Sequence, residues 1–311
     1  VTVVLRPGEG VGAIAHDLAA AHVVSSPALF VAAAELLGAA PRLKAGEYAF
    51  APGTSLARVL AAIRNGAVVR RFVTVPEGLS SVAVADLLAA DPVLVGPAPI
   101  PPEGSVLPET YEVRRGEPRA EVVARMRRAR DRLLEQLWSD RAPGLPYRTP
   151  EQAVILASVV EKETALAAER PRVAAVFINR LERGMRLASD PTVIYGLTGG
   201  RPLGHGLTVS ELARVTPYNT YRTAGLPPTP IANPGRAALL AALRPAATQD
   251  LYFVADGTGG HAFSATLEDH QRNVARWRAI ERASAGKAPA ASALGRTPVI
   301  DQMREEAAHV E

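Results

Sequence analysis

Apolar and polar residues run in two rhythms along this chain, one of strands and one of helices. The opening VTVVL is short, apolar and β-branched, which predicts a strand closed by a Pro7-Gly8 turn. Helical spacing follows over Ile14 to Ala21 and over Ser26 to Leu37. LKAGEYAF predicts a second strand, Pro52-Gly53 a turn, and Ser55 the start of a short helix. The longest apolar stretch, Ala28 to Ala40, is interrupted by Glu35 and is too short to span a bilayer, so it reads as a core helix. RFVTV predicts a further strand, leading through Pro76-Glu77-Gly78 into a helix of Ala, Val and Leu, and the Pro-rich stretch from Pro92 to Pro102 is a loop.

Beyond that loop the pattern turns helical. Pro118 to Trp138 predicts a long helix, and Thr149-Pro150-Glu151-Gln152 is a start signal, with threonine at the cap, proline at the first helical position and glutamine three residues after the cap. It opens the run EQAVILASVVEKE. Further starts fall at Pro171, at Pro191, at Thr208 with Glu211 as a capping box, and at Asn233-Pro234, with Asp190 and Asn233 expected as caps. LYFVAD and HAFSAT, joined by a glycine-rich turn, predict a hairpin, and Leu267 to Ala283 a final helix. The expected fold is therefore α+β: a small α+β module over residues 1–71, a larger, mostly helical domain with a β-hairpin over 72–283, and an Ala/Ser/Pro-rich tail over 284–311 with a short helix from Pro298.

Composition narrows the function classes. With 311 residues and 48% hydrophobic content, the chain can bury the cores of two domains. Its 35 basic against 31 acidic residues leave a net charge of +4, a mild excess that suits a polyanionic or membrane-proximal partner without demanding one. The lack of cysteine excludes disulfides and thiolate metal sites. The start at Val1 is compatible with removal of a preceding signal or anchor. Gly8-Glu9-Gly10-Val11-Gly12 lacks the spacing of a dinucleotide loop and reads as a turn. There is no G-x-S-x-G or H-E-x-x-H, and His205, His261 and His270 have no metal-ligand spacing, so neither metal nor cofactor is expected. Arg125, Arg127, Arg128, Arg130 and Arg132 make one helix basic. Without interleaved aromatics or a nucleic-acid motif, this is a solvated face and no nucleic-acid partner is expected.

Candidate chemistry concentrates at ASVVEKET, Ala157 to Thr164, where an apolar helix ends in Glu161 and Glu163. Two residues apart, they occupy different faces of a helix, so one can point inward while the other is solvated. A desolvated carboxyl there holds its proton near neutral pH, as a general acid must. The plain alternative is that EKE is only the hydrophilic end of a helix, and physics alone does not choose between the two glutamates. Downstream, Asn179, Asp190, Thr192, Tyr195, Tyr218, Asn219 and Tyr221 supply the amides, hydroxyls and aromatic faces that a carbohydrate groove needs, although each has an ordinary structural reading as a cap, a backbone partner or a core ring.

The runs LPETY (Leu107 to Tyr111), ASVVEKET, ERPRVAAVFINRLERGMRLASDPTVIYGL, PYNTY, GLPPTPIANPG and LYFVADGTGGHAFSATLEDH, collinear from about Val73 to Trp277, resemble the endolytic murein transglycosylases, the YceG-like family. The resemblance implies a peptidoglycan lyase with Glu163, the second glutamate of EKE, as acid/base and Glu161 as the close alternative. It implies substrate contacts from Glu109, Glu161, Asn179, Arg180, Asp190, Thr192, Tyr195, Tyr218, Asn219, Tyr221 and His261. LKAGEYAF resembles part of the family's LysM-like subdomain, which implies a glycan-binding N-terminal module. Where many relatives have Pro-Asp-Thr-Tyr, this chain has Pro108-Glu109-Thr110-Tyr111, one methylene longer. The resemblance further implies an inner-membrane anchor preceding these residues, a periplasmic catalytic part, and action on glycan strands near peptidoglycan synthases. Two other readings stay open: a hydrolytic muramidase in which Asp190 or Glu161 activates water, and a non-catalytic peptidoglycan-binding scaffold.

Overall fold

The computed structural model describes residues 1–285 and divides into two compact units. The predicted terminal helix from Pro298 lies outside the described residues, as does nearly all of the predicted tail.

The first unit takes Val1–Val73, Leu88–Pro97 and Thr110–Val122. Period-two alternation places Val3 and Leu5 of β1 (Thr2–Leu5) inward and its other residues outward. After α1 (Val11–Ala20) and α2 (Pro27–Leu36), β2 (Gly46–Ala49) pairs antiparallel with β1, setting Val3 opposite Tyr48. α3 (Leu56–Asn65) closes the core with Val59, Leu60 and Ile63. α2 packs into this core as expected, but it buries only Phe30 and Ala34, whereas Leu29 and Leu36 are 62% and 88% exposed. A helix in so small a unit has cover for one stripe only, so its second apolar stripe faces solvent.

β3 (Arg71–Thr74), α4 (Ser81–Ala90) and β4 (Thr110–Val113) follow, and β3 pairs with β4. β4 was not legible as a strand, although Tyr111 and Val113 alternate inward within it. At the start of α5 (Arg119–Ser139), Arg119 donates to the carbonyls of Leu88, Ala89 and Asp91, satisfying groups that the end of α4 leaves open. Arg127, Arg128 and Arg132 of α5 are exposed, as a solvated face requires.

The second unit takes Thr74–Leu87, Ala98–Glu109 and everything from Val123. Its centre is α6 (Pro150–Glu163), started by the predicted capping box between Thr149 and Gln152. Ala153 to Val160 are buried at eight consecutive positions, so this helix is covered on all sides rather than along a stripe. Around it lie α7 (Arg170–Glu182), α8 (Asp190–Thr198) and, after the short α9 (Val209–Ala213), α10 (Arg236–Leu243). Leu156, Phe177, Leu187 and Leu239 fill the shared core. Ser158, fully buried, donates to the Ile155 carbonyl and accepts from the Ile231 amide, which ties the 231–235 segment to α6. β5 (Tyr252–Ala255) and β6 (His261–Ser264) form the predicted antiparallel hairpin, followed by α11 (Leu267–Ala285).

Two expected caps are corrected. The cap of α8 is Ser189 and that of α10 is Gly235, so Asp190 and Asn233 are not caps. Their side chains are taken by tertiary partners: Asp190 accepts from Tyr221, and fully buried Asn233 donates to the Leu79 carbonyl, Ser81 and Glu103 while accepting from the Val106 amide. The protein is thus mostly helical with small two-stranded sheets, α+β in the broad sense. Among the described residues, no helix is long and apolar enough to cross a membrane and no side-chain cluster is arranged to hold a metal ion.

In the first unit, buried Glu47 accepts from Arg71 at 2.6 and 2.8 Å and from Arg115 at 3.1 Å. The Arg71 hydrogen bond, outweighing burial and helped by Arg115, lowers its pKa from 4.5 to about 2. A folded-state value below the unfolded one contributes stability that is present above about pH 4.5 and lost as pH falls toward 2. Glu47→Gln is therefore predicted to cost about 2 kcal/mol at pH 7. The difference from wild type, read as urea midpoints, should shrink between pH 4.5 and pH 3.

Candidate active site

At 100° per residue, Glu161 and Glu163 leave the end of α6 about 200° apart, and the structure gives them different tasks. The Glu161 side chain is 4% exposed, with one oxygen accepting from Arg170 at 2.8 Å and the other from the Gly235 amide at 2.9 Å. Arg170 also reaches Glu77, at 3.2 Å. A Cβ on Gly235 would sit 1.8 Å from a Glu77 oxygen, so a larger residue there would have to displace the Glu77 side chain. Burial raises the Glu161 pKa, while the Gly235 amide and Arg170 hold it down. With both oxygens committed, Glu161 works as a staple between α6, α7 and the start of α10.

Glu163, the last residue of α6, is half-buried on the other side. Its Oε1 accepts from Ser189 Oγ at 2.5 Å, and Oε2 has no hydrogen-bond partner among the described residues. Burial pushes its pKa up to about 7; the Asp190 charge pushes the same way, and the Ser189 hydrogen bond and the Arg180 charge oppose it. The negative end of the α6 dipole also disfavours the ionised form. This carboxyl therefore exchanges its proton near neutral pH, a property of few surface glutamates.

The surrounding groups are held from several elements. Ser189 caps α8 with its backbone, but no helix amide uses its hydroxyl, which is spent on Glu163. The Ser189 amide donates to Thr220 Oγ1 at 3.0 Å, its carbonyl accepts from Thr192 Oγ1 at 2.6 Å, and the two threonine hydroxyls share a hydrogen bond of 2.8 Å. Ala188 just before it has φ +50°, a left-handed conformation that side chains rarely adopt, and its amide is fixed on the Thr220 carbonyl. Asp190 accepts from the buried Tyr221 hydroxyl at 2.7 Å, and burial raises the Asp190 pKa against that bond. Arg180, buried, donates to the carbonyls of Leu187 and Leu251, each at 2.7 Å.

Of the residues singled out from sequence, the structure thus gathers Glu163, Arg180, Asp190, Thr192 and Tyr221 around Ser189. Tyr195, farther along α8, packs its ring 5.0 Å from that of Tyr218 and donates to Glu103 at 3.2 Å, while Tyr218 shares a hydrogen bond with Thr229. Asn219, fully buried, donates to the Leu212 and Arg214 carbonyls and accepts from the Tyr221 amide, holding the turn that presents Thr220 and Tyr221. Asn179 donates to the carbonyls of Thr248 and Asp250. His261 pairs with Glu169 at 2.7 Å, and Glu169 also accepts from Thr164, the residue after Glu163. Glu109 is exposed.

Sequence reading missed Ser189, Thr220, Glu103 and Glu169. Ser189 stands just before Asp190, to which the sequence pattern assigned the helix cap, so it was given no role of its own. Glu103 lies just past a Pro-rich loop, yet its carboxyl accepts from the amide and hydroxyl of Ser81, from Asn233 and from Tyr195, and burial raises its pKa.

A sequence model described as the YceG-like family matches residues 3–276. The chain belongs to this family. Named relatives include the endolytic murein transglycosylase of Bacillus subtilis (strain 168), 42% identical over 119 residues, and that of Streptococcus pneumoniae serotype 2 (strain D39 / NCTC 7466), 34% identical over 180 residues. These matches cover 38% and 56% of this chain but only 32% of either relative. The chain thus spans about a third of their length. The crystal structure of a yceG-like protein from Listeria monocytogenes is similar over 88% of this chain and 98% of that one, with a TM-score of 0.55 and 25% identity. The matched family region contains every residue of the Glu163 cluster.

The electrostatics of this YceG-like site are testable without substrate. In a carboxyl-¹³C NMR titration, Glu163 should change ionisation near pH 7, and Asp190→Asn, by removing a neighbouring negative charge, should move that midpoint downward. A midpoint near the ordinary 4.5 would contradict the desolvated environment.

Proposed function

We propose that this chain is an endolytic lytic transglycosylase of peptidoglycan, cutting the β-1,4 bond between MurNAc and GlcNAc within glycan strands and leaving 1,6-anhydroMurNAc ends. One observation carries this reading: the Glu163 carboxyl has its pKa pushed up to about 7 and keeps one oxygen without a hydrogen-bond partner among the described residues.

A protonated Glu163 gives its proton to the glycosidic oxygen as the bond to MurNAc C1 breaks. The carboxylate left behind takes the proton of the C6 hydroxyl of the same MurNAc, whose oxygen closes on C1. Atoms balance without water, and Glu163 returns to its starting state. Because the nucleophile is tethered to the reacting centre, the second step is intramolecular and gains from proximity, so one acid/base suffices. A pKa near the working pH serves both halves, since the group must be acid first and base second. Arg180 and the Asp190–Tyr221 pair set the field around the developing positive charge at C1. Tyr195 and Tyr218 offer ring faces to a neighbouring sugar. Thr192, Asn179 and Asn219 shape the groove from beneath, and Glu109 and His261 flank it. The N-terminal module, LysM-like, holds the strand. An inner-membrane anchor outside these residues would keep the enzyme in the periplasm beside peptidoglycan synthases.

The relatives' printed names support the reaction class, and the commitment of both Glu161 oxygens disfavours that residue as the acid. A glycosidase needs a second carboxylate, and among the described residues Asp190 is the one that acts electrostatically on Glu163. A hydrolytic muramidase in which Asp190 activates water is therefore the specific alternative. A scaffold that only binds glycan gives no reason for a carboxyl tuned to pH 7.

Glu163→Gln should lower strand cleavage about 10³-fold while leaving the fold intact. The check is mass spectrometry of purified glycan strands after digestion: wild type is expected to yield ends lighter by one water than hydrolysed ends, and the variant none. Ordinary reducing ends from wild type would establish the muramidase instead, and no cleavage by folded wild type would leave the scaffold.

A further inference from the structure

Ser189 is the group nearest the Glu163 carboxyl, and its placement is more constrained than a helix cap requires. It is 2% exposed, and both ends of its peptide unit are clamped by threonine hydroxyls that are themselves fully buried and bonded to each other. The preceding Ala188 is held in a left-handed conformation that residues other than glycine rarely adopt. The cap hydroxyl that normally satisfies a helix amide is withheld from that use. The left-handed Ala188 and the unused cap hydroxyl of Ser189 are adjacent, and together they place that hydroxyl 2.5 Å from Glu163, which starting a helix does not require.

We propose that Ser189 is a positioning residue that decides which oxygen of Glu163 carries the catalytic proton. With its hydroxyl donating to Oε1, that oxygen is occupied by a donor in both protonation states of the carboxyl, so the exchangeable proton resides on Oε2. Oε2 is the oxygen with no partner among the described residues, the one left for a substrate. The same contact fixes the carboxyl plane, so the proton leaves and returns along one direction. Without the hydroxyl, the proton divides between two oxygens and the carboxyl rotates, so the fraction of enzyme ready to protonate the leaving oxygen falls. The contact also favours the ionised carboxylate, which the second half of the reaction needs. This inference rests on the proposed function for its effect on rate, but not for its effect on the carboxyl.

The experiment compares Ser189→Ala and Ser189→Thr with wild type in three readouts. Threonine keeps the hydroxyl on the same carbon and suits the extended backbone at this position, φ −113° and ψ 118°. Ser189→Ala should lower kcat about 10- to 100-fold with little change in KM. It should also move the alkaline limb of the pH–rate profile upward, because the proton is released at higher pH once the donor to the carboxylate is gone. Ser189→Thr should restore most of the rate and return the limb toward its wild-type position. Carboxyl-¹³C titration of Glu163 reads the same contact without turnover: its midpoint should rise in Ser189→Ala and return in Ser189→Thr. An alanine variant with unshifted midpoint and limb and a kcat within twofold of wild type would overturn the proposal. So would a folded threonine variant as impaired as the alanine one. If wild type produced no anhydro ends, the lytic reading would fall, and the NMR midpoints alone would still decide the role of Ser189.

Discussion

A helix buried along eight consecutive positions cannot end in charge without consequence. α6 runs from Ala153 to Val160 with no exposed residue, and within three more positions it must release two carboxylates from the same low-dielectric surroundings. An unpaired charge there is costly, so each glutamate meets a different fate. Glu161 receives a guanidinium and a backbone amide and stays within the structure as a staple. Glu163 receives a single hydroxyl, and the remaining cost is expressed as an affinity for a proton that places its pKa near 7. The pairing of Glu161 is what lets α7 and the 231–235 segment close around α6, and that closure desolvates the neighbouring region.

The rest of the second unit serves that arrangement. Asn233 and Ser158 draw the 231–235 segment against α6 and against residues 79–81 and 103–106, with no solvent contact at either side chain. Asn219 folds the turn that brings Thr220 and Tyr221 to the start of α8. Thr220 then fixes Ser189, and Tyr221 fixes Asp190. The proposed chemistry would rest on helix ends: Glu163 stands at the negative end of α6, and the groups that shift its pKa stand at the start of α8.

Much of this was legible beforehand, for identifiable reasons. Both capping boxes, at Thr149 and Thr208, were readable because they are local and need no tertiary information. The separation of Glu161 from Glu163 followed from helix geometry. Which of them was buried by a paired charge did not, because Arg170 and Gly235 lie 9 and 74 positions away. Asp190 and Asn233 were misread as caps because the residue before proline resembles a cap in sequence, while their partners, Tyr221 in one case and Leu79, Ser81 and Glu103 in the other, are far along the chain. Ser189 was hidden by the same misreading: the cap was assigned to Asp190, so the serine before it was given no role. The exposed stripe of α2 escaped notice because an apolar run does not show how much cover the rest of its unit can supply.

In the proposed lytic reaction, one acid/base and a tethered nucleophile mean that no solvent oxygen enters the product, which is where it differs most sharply from hydrolysis. Purified glycan strands digested in H₂¹⁸O provide the direct test, with the new MurNAc ends analysed by mass spectrometry. Lytic cleavage by Glu163 predicts 1,6-anhydro ends with no ¹⁸O. One ¹⁸O at each new end, at a rate set by Glu163, would contradict it and assign the activation of water to a second group such as Asp190.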